Sequence, residues 1–287
     1  MKNNFRLGFS LLEVSVVLLI IGILLASVSA GKSMIRTSKI TSSQSLTASS
    51  PVSAVEGLAI WLEPVSVASL SPDDTYDSQD IVGGWQNLSN YFAPTNFDVT
   101  GPTYNESSIN GLPSVTFDSN DIVDIQSSLQ HITGTNFSIF IVEERNSDTG
   151  ILINSDHMVA KYATNYFKIE KDGVPVVNVV DVPTGPAINY ISFASSATGS
   201  APKGLTYYRN KGVFFNSSNA QDITATDLSA DYEGISSSNY ATLGSVSGGF
   251  VGDISELIVY NNSLTIVELN EILNYLSSKY RINLERE

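Results

Sequence analysis

A single carboxylate, Glu13, stands inside an apolar stretch that runs from Phe9 to Ala30. Taking a carboxylate out of water is costly, so this one needs a partner. As a helix the stretch would be about 33 Å long at 1.5 Å per residue, enough to cross the roughly 30 Å hydrocarbon core of a bilayer. Four residues make about one helical turn, so the Glu13 carboxylate lies one turn below the backbone nitrogen of Phe9. Before the stretch, Met1 to Gly8 carry Lys2 and Arg6 and no acid, which predicts a cytoplasmic N-terminus and the rest of the chain outside. A secretory signal fits less well, because its apolar core is shorter and a small-x-small site follows it.

Other residues with chemical potential are grouped by type. Asp73, Asp74, Asp77 and Asp80 form one acidic cluster, and Asp118, Asp121 and Asp124 another. Oxygen-rich loops suit calcium, the one cofactor these residues suggest, although neither cluster has the spacing of a twelve-residue calcium loop. Tyr76, Tyr91, Tyr104, Tyr232 and Tyr240 lie in polar segments expected to be loops, where an aromatic ring can stack on a sugar. Trp61 and Trp85 sit in strand-like surroundings and are expected in the core. The chain has no cysteine, and His131 and His157 lack metal-ligand spacing. No nucleophile elbow or phosphate-binding glycine motif occurs. No enzyme is expected.

Gly8, Phe9 and Glu13, followed by Ile20-Ile21-Gly22-Ile23-Leu24, resemble the N-terminus of bacterial type IV pilins and type II secretion pseudopilins. The resemblance covers about the first 30 residues. It implies cleavage after Gly8 by a prepilin peptidase, N-methylation of the new Phe9 amine, and assembly in which Glu13 meets the amine of a neighbouring subunit. It also implies an inner-membrane precursor that passes into a pilus or pseudopilus with other pilin or pseudopilin subunits. The family's frequent proline near the end of the apolar run is absent, Ala30 standing there, and so is its frequent disulfide.

The elements that must position these residues divide the chain into a leader (1–8), a hydrophobic helix (9–36), a Ser/Thr-rich tract (37–56) and a head (57–287). In the tract, Ser and Thr compete for helical backbone bonds and Pro51 disfavours a helical Ser50, so the helix is expected to fade by about residue 48. Two readings stand for the tract: a linker, or a helical face packed on the head. Residues 1–56 carry five basic and two acidic side chains and residues 57–287 ten and twenty-seven, giving net charges of +3 and −17. So acidic a head repels phosphates, and direct nucleic-acid binding by it is not expected. At roughly 230 residues the head is large enough to hold together without disulfides.

Short apolar runs broken by turn residues predict about ten strands: 59–62, 81–85, 114–117, 137–143, 166–170, 174–180, 187–193, 205–209, 212–215 and 251–260. This is the pattern of a two-sheet antiparallel sandwich, mainly β. Thr265 and Glu268 form a capping box, and Leu269, Ile272, Leu273, Leu276 and Tyr280 share one face of a C-terminal helix.

Four segments, around Trp61-Leu62, 80–89, 110–118 and 250–260 with the helix after it, resemble the concanavalin A-like, laminin-G-like jelly roll domains of bacterial surface proteins. This resemblance implies a sheet face used for an extracellular glycan or protein and, in many relatives, a calcium ion. Asn87 stands where relatives often carry an acid. Retaining glycosidases place two carboxylates about 5 to 5.5 Å apart. Asp253 and Glu256 are the nearest approach to such a motif, and on a regular strand their spacing would put them on opposite faces, Glu256 with Ile254, Ile258 and Tyr260. The expected protein is a pilin-like, minor subunit displaying a lectin-like head. The alternative is a structural pseudopilin whose head binds nothing.

Overall fold

The computed structural model describes residues 10–66, 69–70, 77–89, 95–96, 101–126, 136–156, 158–164, 166–171, 173–180, 182–194, 204–210 and 240–285. The chain divides into two compact units, Met1–Ser42 and Ser43–Glu287.

Helix α1 (Leu11–Ala48) supplies the described part of the first unit and runs on into the second. Its apolar side chains are exposed from Leu11 to Leu25, and it is long and apolar enough to cross a membrane. The Ser/Thr tract is helical as far as Ala48, and hydroxyls there bond back to carbonyls one turn earlier. Thr47 Oγ1 donates to Ser43 O (3.1 Å), and Ser49 Oγ to Ser45 O (2.9 Å). Within the second unit, Ser43 and Thr47 are buried, Leu46 packs on a hydrophobic cluster, and Gln44 Nε2 donates to Val65 O (3.2 Å). Of the tract 37–56, the helix takes in residues 37–48, and the rest follows as turns and a short 3-10 helix.

The second unit is mainly β. One sheet contains β1 (Leu58–Leu62), β4 (Thr103–Asn105), β5 (Ser114–Phe117), β7 (Phe137–Arg145), β12 (Ala187–Ala194), β13 (Gly204–Arg209) and β15 (Gly252–Tyr260). Its order is β13-β12-β7-β15-β5-β4, with β1 also paired to β15. The other contains β6 (Ile122–Asp124), β8 (Gly150–Ser155), β9 (Val159–Ala163), β10 (Tyr166–Lys171), β11 (Val174–Val180) and β14 (Ala241–Gly244), in the order β11-β10-β9-β8-β14-β6. Every pairing within these two sheets is antiparallel. β2 (Gly84–Trp85) and β3 (Thr95–Asn96) pair separately. Helix α2 (Ile266–Tyr280) follows the last strand.

The seven-stranded sheet is buried on both faces. Inward, Phe117, Phe137, Ile139, Ile141, Leu257 and Val259 meet Phe167, Ile169 and Leu243 of the other sheet in the main core. Outward, Trp61, Phe140, Val142, Ile188, Ile258 and Tyr260 pack beneath Leu269, Ile272, Leu273 and Leu276 of α2. Every residue of β12 and β15 is therefore buried, whereas β9 and β10 alternate between buried and accessible positions. Period-two burial means one covered face and one open face.

Several expectations need correction. The run 81–85 is not one strand: Ile81 makes an isolated bridge to Thr103, and only Gly84 and Trp85 are extended. Strands β4, β6, β8, β9 and β14 were not foreseen, being short or mixed in polarity. The run 212–215 lies outside the described residues. Most consequential is a β-bulge in β15 between Ile254 and Glu256. One extra residue resets the alternation. Ile254 faces the main core, whereas Glu256 points outward with Ile258 and Tyr260, and so does Asp253, which bonds Ser114 and Thr116.

Candidate functional site

At the start of α1, Glu13 Oε2 accepts the Ser10 N–H (2.7 Å) and Ser10 Oγ accepts the Glu13 N–H (3.2 Å). This reciprocal pair is a capping box, closing two backbone donors that the first helical turn leaves open. Sequence reasoning missed it, although Ser10 three residues before Glu13 is its signature. Gly8 and Phe9 lie outside the described residues.

The acidic clusters resolve into turn chemistry. Asp121 Oδ2 accepts the Asp118 N–H (2.8 Å), Asp118 Oδ1 that of Asn120 (2.9 Å), and Asp124 Oδ1 that of Gln126 (2.8 Å). Burial, above all, raises the Asp121 carboxyl above the usual range. Asp80 Oδ2 likewise accepts the Asp77 N–H (2.8 Å), while Asp73 and Asp74 lie outside the described residues. Among the described residues, no group of three His, Cys, Asp or Glu is placed to hold a metal ion.

Of the tyrosines singled out, Tyr104 lies on β4 instead of in a loop and packs partly buried against the main core. Tyr240 is 43% exposed, next to β14. Tyr76, Tyr91 and Tyr232, like His131 and His157, fall outside the described residues. Trp61 and Trp85 are buried, as expected. Asn87 is structural: Oδ1 accepts the Trp61 N–H (2.8 Å) and Nδ2 donates to Ala59 O (2.9 Å), so the amide mimics a strand beside β1. A carboxylate could not donate that second bond.

Glu256, displaced outward by the bulge, enters a buried ionic network. Oε1 accepts from Trp61 Nε1 (2.8 Å) and Tyr275 OH (2.9 Å), and Oε2 from Lys279 Nζ (2.8 Å) and Tyr280 OH (2.9 Å). Lys279 also reaches Glu63 Oε2 (3.1 Å), and Glu63 accepts the N–H groups of Val65 and Ser66. Thr47 of α1 approaches Tyr275 OH (3.4 Å). Burial would lower the Lys279 ammonium, but Glu256 and then Glu63 outweigh it and hold it above its ordinary value. Burial raises Glu63 despite Lys279. Two carboxylates with one ammonium and no solvent suit a structural lock between α2 and the sheet.

A second polar group stands at one end of the inter-sheet space. Glu143 Oε1 accepts from Arg209 Nη1 (2.6 Å), Tyr162 OH (2.8 Å) and Asn189 Nδ2 (3.0 Å). Arg145 Nη2 donates to Val182 O and Arg209 Nη2 to Pro183 O, fastening the segment before β12.

Among the described residues, accessible chemistry of the head includes the outward face of the six-stranded sheet. Tyr166, 38% exposed, shares the outward side of β10 with Lys168 and Glu170. Lys168 Nζ lies 5.4 Å from the Tyr166 ring centroid. By register, Lys168 stands opposite Asn178 of β11 and Lys161 of β9. Lys161 Nζ pairs with Glu170 Oε2 (2.7 Å). A cross-strand row continues from Glu170 past Val159 to the polar Asn154, Thr242 and Asp124. Sequence reading placed Tyr166 in a strand but had no means of telling which face of the sheet would stay open.

Residues 3–29 match the prokaryotic N-terminal methylation motif. The chain therefore has a type IV pilin-like N-terminus, which implies processing by a prepilin peptidase and assembly with other pilins; the apolar helix fits membrane anchoring. No curated protein matches the sequence. Among solved structures, the chain is similar to Trypanosoma rangeli sialidase in complex with 2,3-difluorosialic acid, at 12% identity and a TM-score of 0.47, over 91% of this chain and 40% of that one. It is also similar to the CBM40 of Ruminococcus gnavus IT-sialidase bound to α2,3-sialyllactose, at 13% identity and a TM-score of 0.41, over 56% and 95%. A third likeness is to the K499G mutant of NanB sialidase from Streptococcus pneumoniae, at 15% identity and a TM-score of 0.41, over 55% and 27%. The chain spans less than half the length of the first of these. Likeness at this level carries nothing about what the head binds.

Proposed function

We propose that the chain is a minor pilin-like subunit of a type IV pilus or related filament, cleaved after Gly8 and methylated at Phe9, which displays a lectin-like head to an extracellular glycan or protein. The observation that carries this reading is the methylation motif over residues 3–29, joined to a helix whose apolar side chains are exposed and followed by a separately packed β unit. A helix whose described apolar side chains are exposed requires lipid or neighbouring helices. Glu13 then has two tasks. One oxygen holds the capping box, and the carboxylate, which has several lone pairs, also meets the Phe9 amine of a neighbouring subunit.

The orientation that follows has residues 1–8 on the cytoplasmic side of the inner membrane and the head outside. In support of a binding head over an inert one, the unit leaves one sheet face open and lined with an exposed ring, an ion pair and amides. The test uses the full chain expressed with a prepilin peptidase and purified in detergent. Mass spectrometry is expected to find an N-terminus at Phe9 carrying one methyl group, and glycan and protein arrays, each with calcium and with chelator, to show a defined ligand. An unprocessed N-terminus rejects the pilin-like reading, and blank arrays reject the binding head.

A further inference from the structure

We infer that the outward face of the β9 and β10 hairpin binds an anionic polysaccharide, with Lys168 taking a sugar carboxylate or sulfate and Tyr166 taking the sugar ring. This rests on the reading above that the head binds an extracellular ligand, and it adds where and of what charge.

The first argument is the distribution of positive charge. Residues 57–287 carry a net charge of −17. Among their described basic residues, Arg145 and Lys279 are buried and the Arg209 side chain is 7% exposed, all three being committed to internal partners. The accessible ones are Lys161, Lys168, Lys171 and Arg281, and three of these four lie on β9 and β10. Among the described residues, the accessible positive charge of the acidic head is densest on this hairpin, which therefore repels an anionic chain least.

The second argument is local. Lys161 and Lys168 are direct cross-strand partners, an arrangement that destabilises a sheet when nothing offsets it. Glu170 neutralises Lys161 at 2.7 Å. Lys168 has the Tyr166 ring beside it, 5.4 Å from Nζ to centroid, and no carboxylate within salt-bridge distance among the described residues. A ligand anion would supply the missing counter-charge, and the adjoining ring, 38% exposed, offers a surface for sugar C–H groups.

A polysaccharide fits better than an acidic protein segment. Protein partners dock on clustered apolar anchors, and among the described residues of β9 and β10 Tyr166 is the one exposed large apolar side chain. Asn178, opposite Lys168 on the neighbouring strand, adds an amide at the inter-strand spacing of about 4.8 Å, suited to a hydroxyl-rich chain.

The experiment measures binding of the detergent-solubilised full chain to immobilised polygalacturonate, dextran sulfate, neutral dextran and poly-glutamate. Variants are Lys168→Gln, Tyr166→Ser and, as a charge-matched control elsewhere, Arg281→Gln, each with its thermal midpoint recorded. The expected result is salt-sensitive binding to at least one anionic polysaccharide and none to neutral dextran, reduced at least tenfold by Lys168→Gln and by Tyr166→Ser and less than twofold by Arg281→Gln. If Tyr166→Ser fails to fold, Lys168→Gln against Arg281→Gln decides alone. Equal loss in the control, equal binding of poly-glutamate, or no binding to either polyanion overturns the inference. A neutral glycan or protein bound on the arrays and retained by Lys168→Gln overturns this site while leaving the binding head in place; blank arrays remove both.

Discussion

Glu63 is a residue whose protonation should be visible in stability. It is fully buried beside Lys279, and burial raises its carboxyl above the ordinary 4.5. Above that value the unfolded chain has lost a proton that the folded chain still holds, so stability falls as pH rises until the folded group ionises too. Asp121 and Glu144, also raised mainly by burial, act with the same sign. The thermal midpoint of the detergent-solubilised chain is therefore expected to be higher at pH 5 than at pH 8, and Glu63→Gln should flatten that slope without abolishing it. An unchanged slope would show that Glu63 does not titrate in this range. Nothing local in the sequence announces the network, because Glu63 and Lys279 are 216 residues apart and meet only once α2 lies on the sheet. The sequence placed Glu256 on one face with Ile254 and opposite Asp253, and the bulge that reverses both leaves no mark in the polarity pattern.

At the scale of elements, α2 decides which sheet face stays open. Its start is fixed by Thr265, whose Oγ1 accepts the Glu268 N–H while Glu268 Oε2 accepts the Thr265 N–H. Thr265→Ala removes one half of the box and should cost about 1 kcal/mol in chemical denaturation, the usual size for a lost cap. A change below roughly 0.3 kcal/mol would mean that the apolar face of Leu269, Ile272, Leu273 and Leu276 holds the helix unaided. This helix was legible in detail because caps and period are local. The long strands β7, β12 and β15 were legible from their apolar runs, whereas β8 and β9 were not: Lys161 and Asn154 alternate with core residues on an open face and read as loop. The end of the Ser/Thr tract was undecided between linker and packed helix. Ser43 and Thr47 are buried within their own unit, and the Thr47 hydroxyl returns to the helix backbone.

For the whole molecule, the pilin-like reading makes Glu13 the residue on which assembly depends. Glu13→Ala is expected to leave cleavage after Gly8 intact and to reduce incorporation into filaments at least tenfold, measured by immunoblot of sheared fractions. Normal incorporation would restrict Glu13 to its capping box with Ser10. By itself the sequence determined the pilin-like N-terminus, the apolar span, the mainly β head and the final helix, because each is written in contiguous residues or in a short period. Only the tertiary structure decided that the seven-stranded sheet is covered on both sides, that Glu256 and Asp253 share its outer face, and that Tyr166 and Lys168 stand together on the open sheet. Those outcomes depend on which distant surfaces bury one another and on one inserted residue that resets strand parity, and neither is a property of any local stretch of chain.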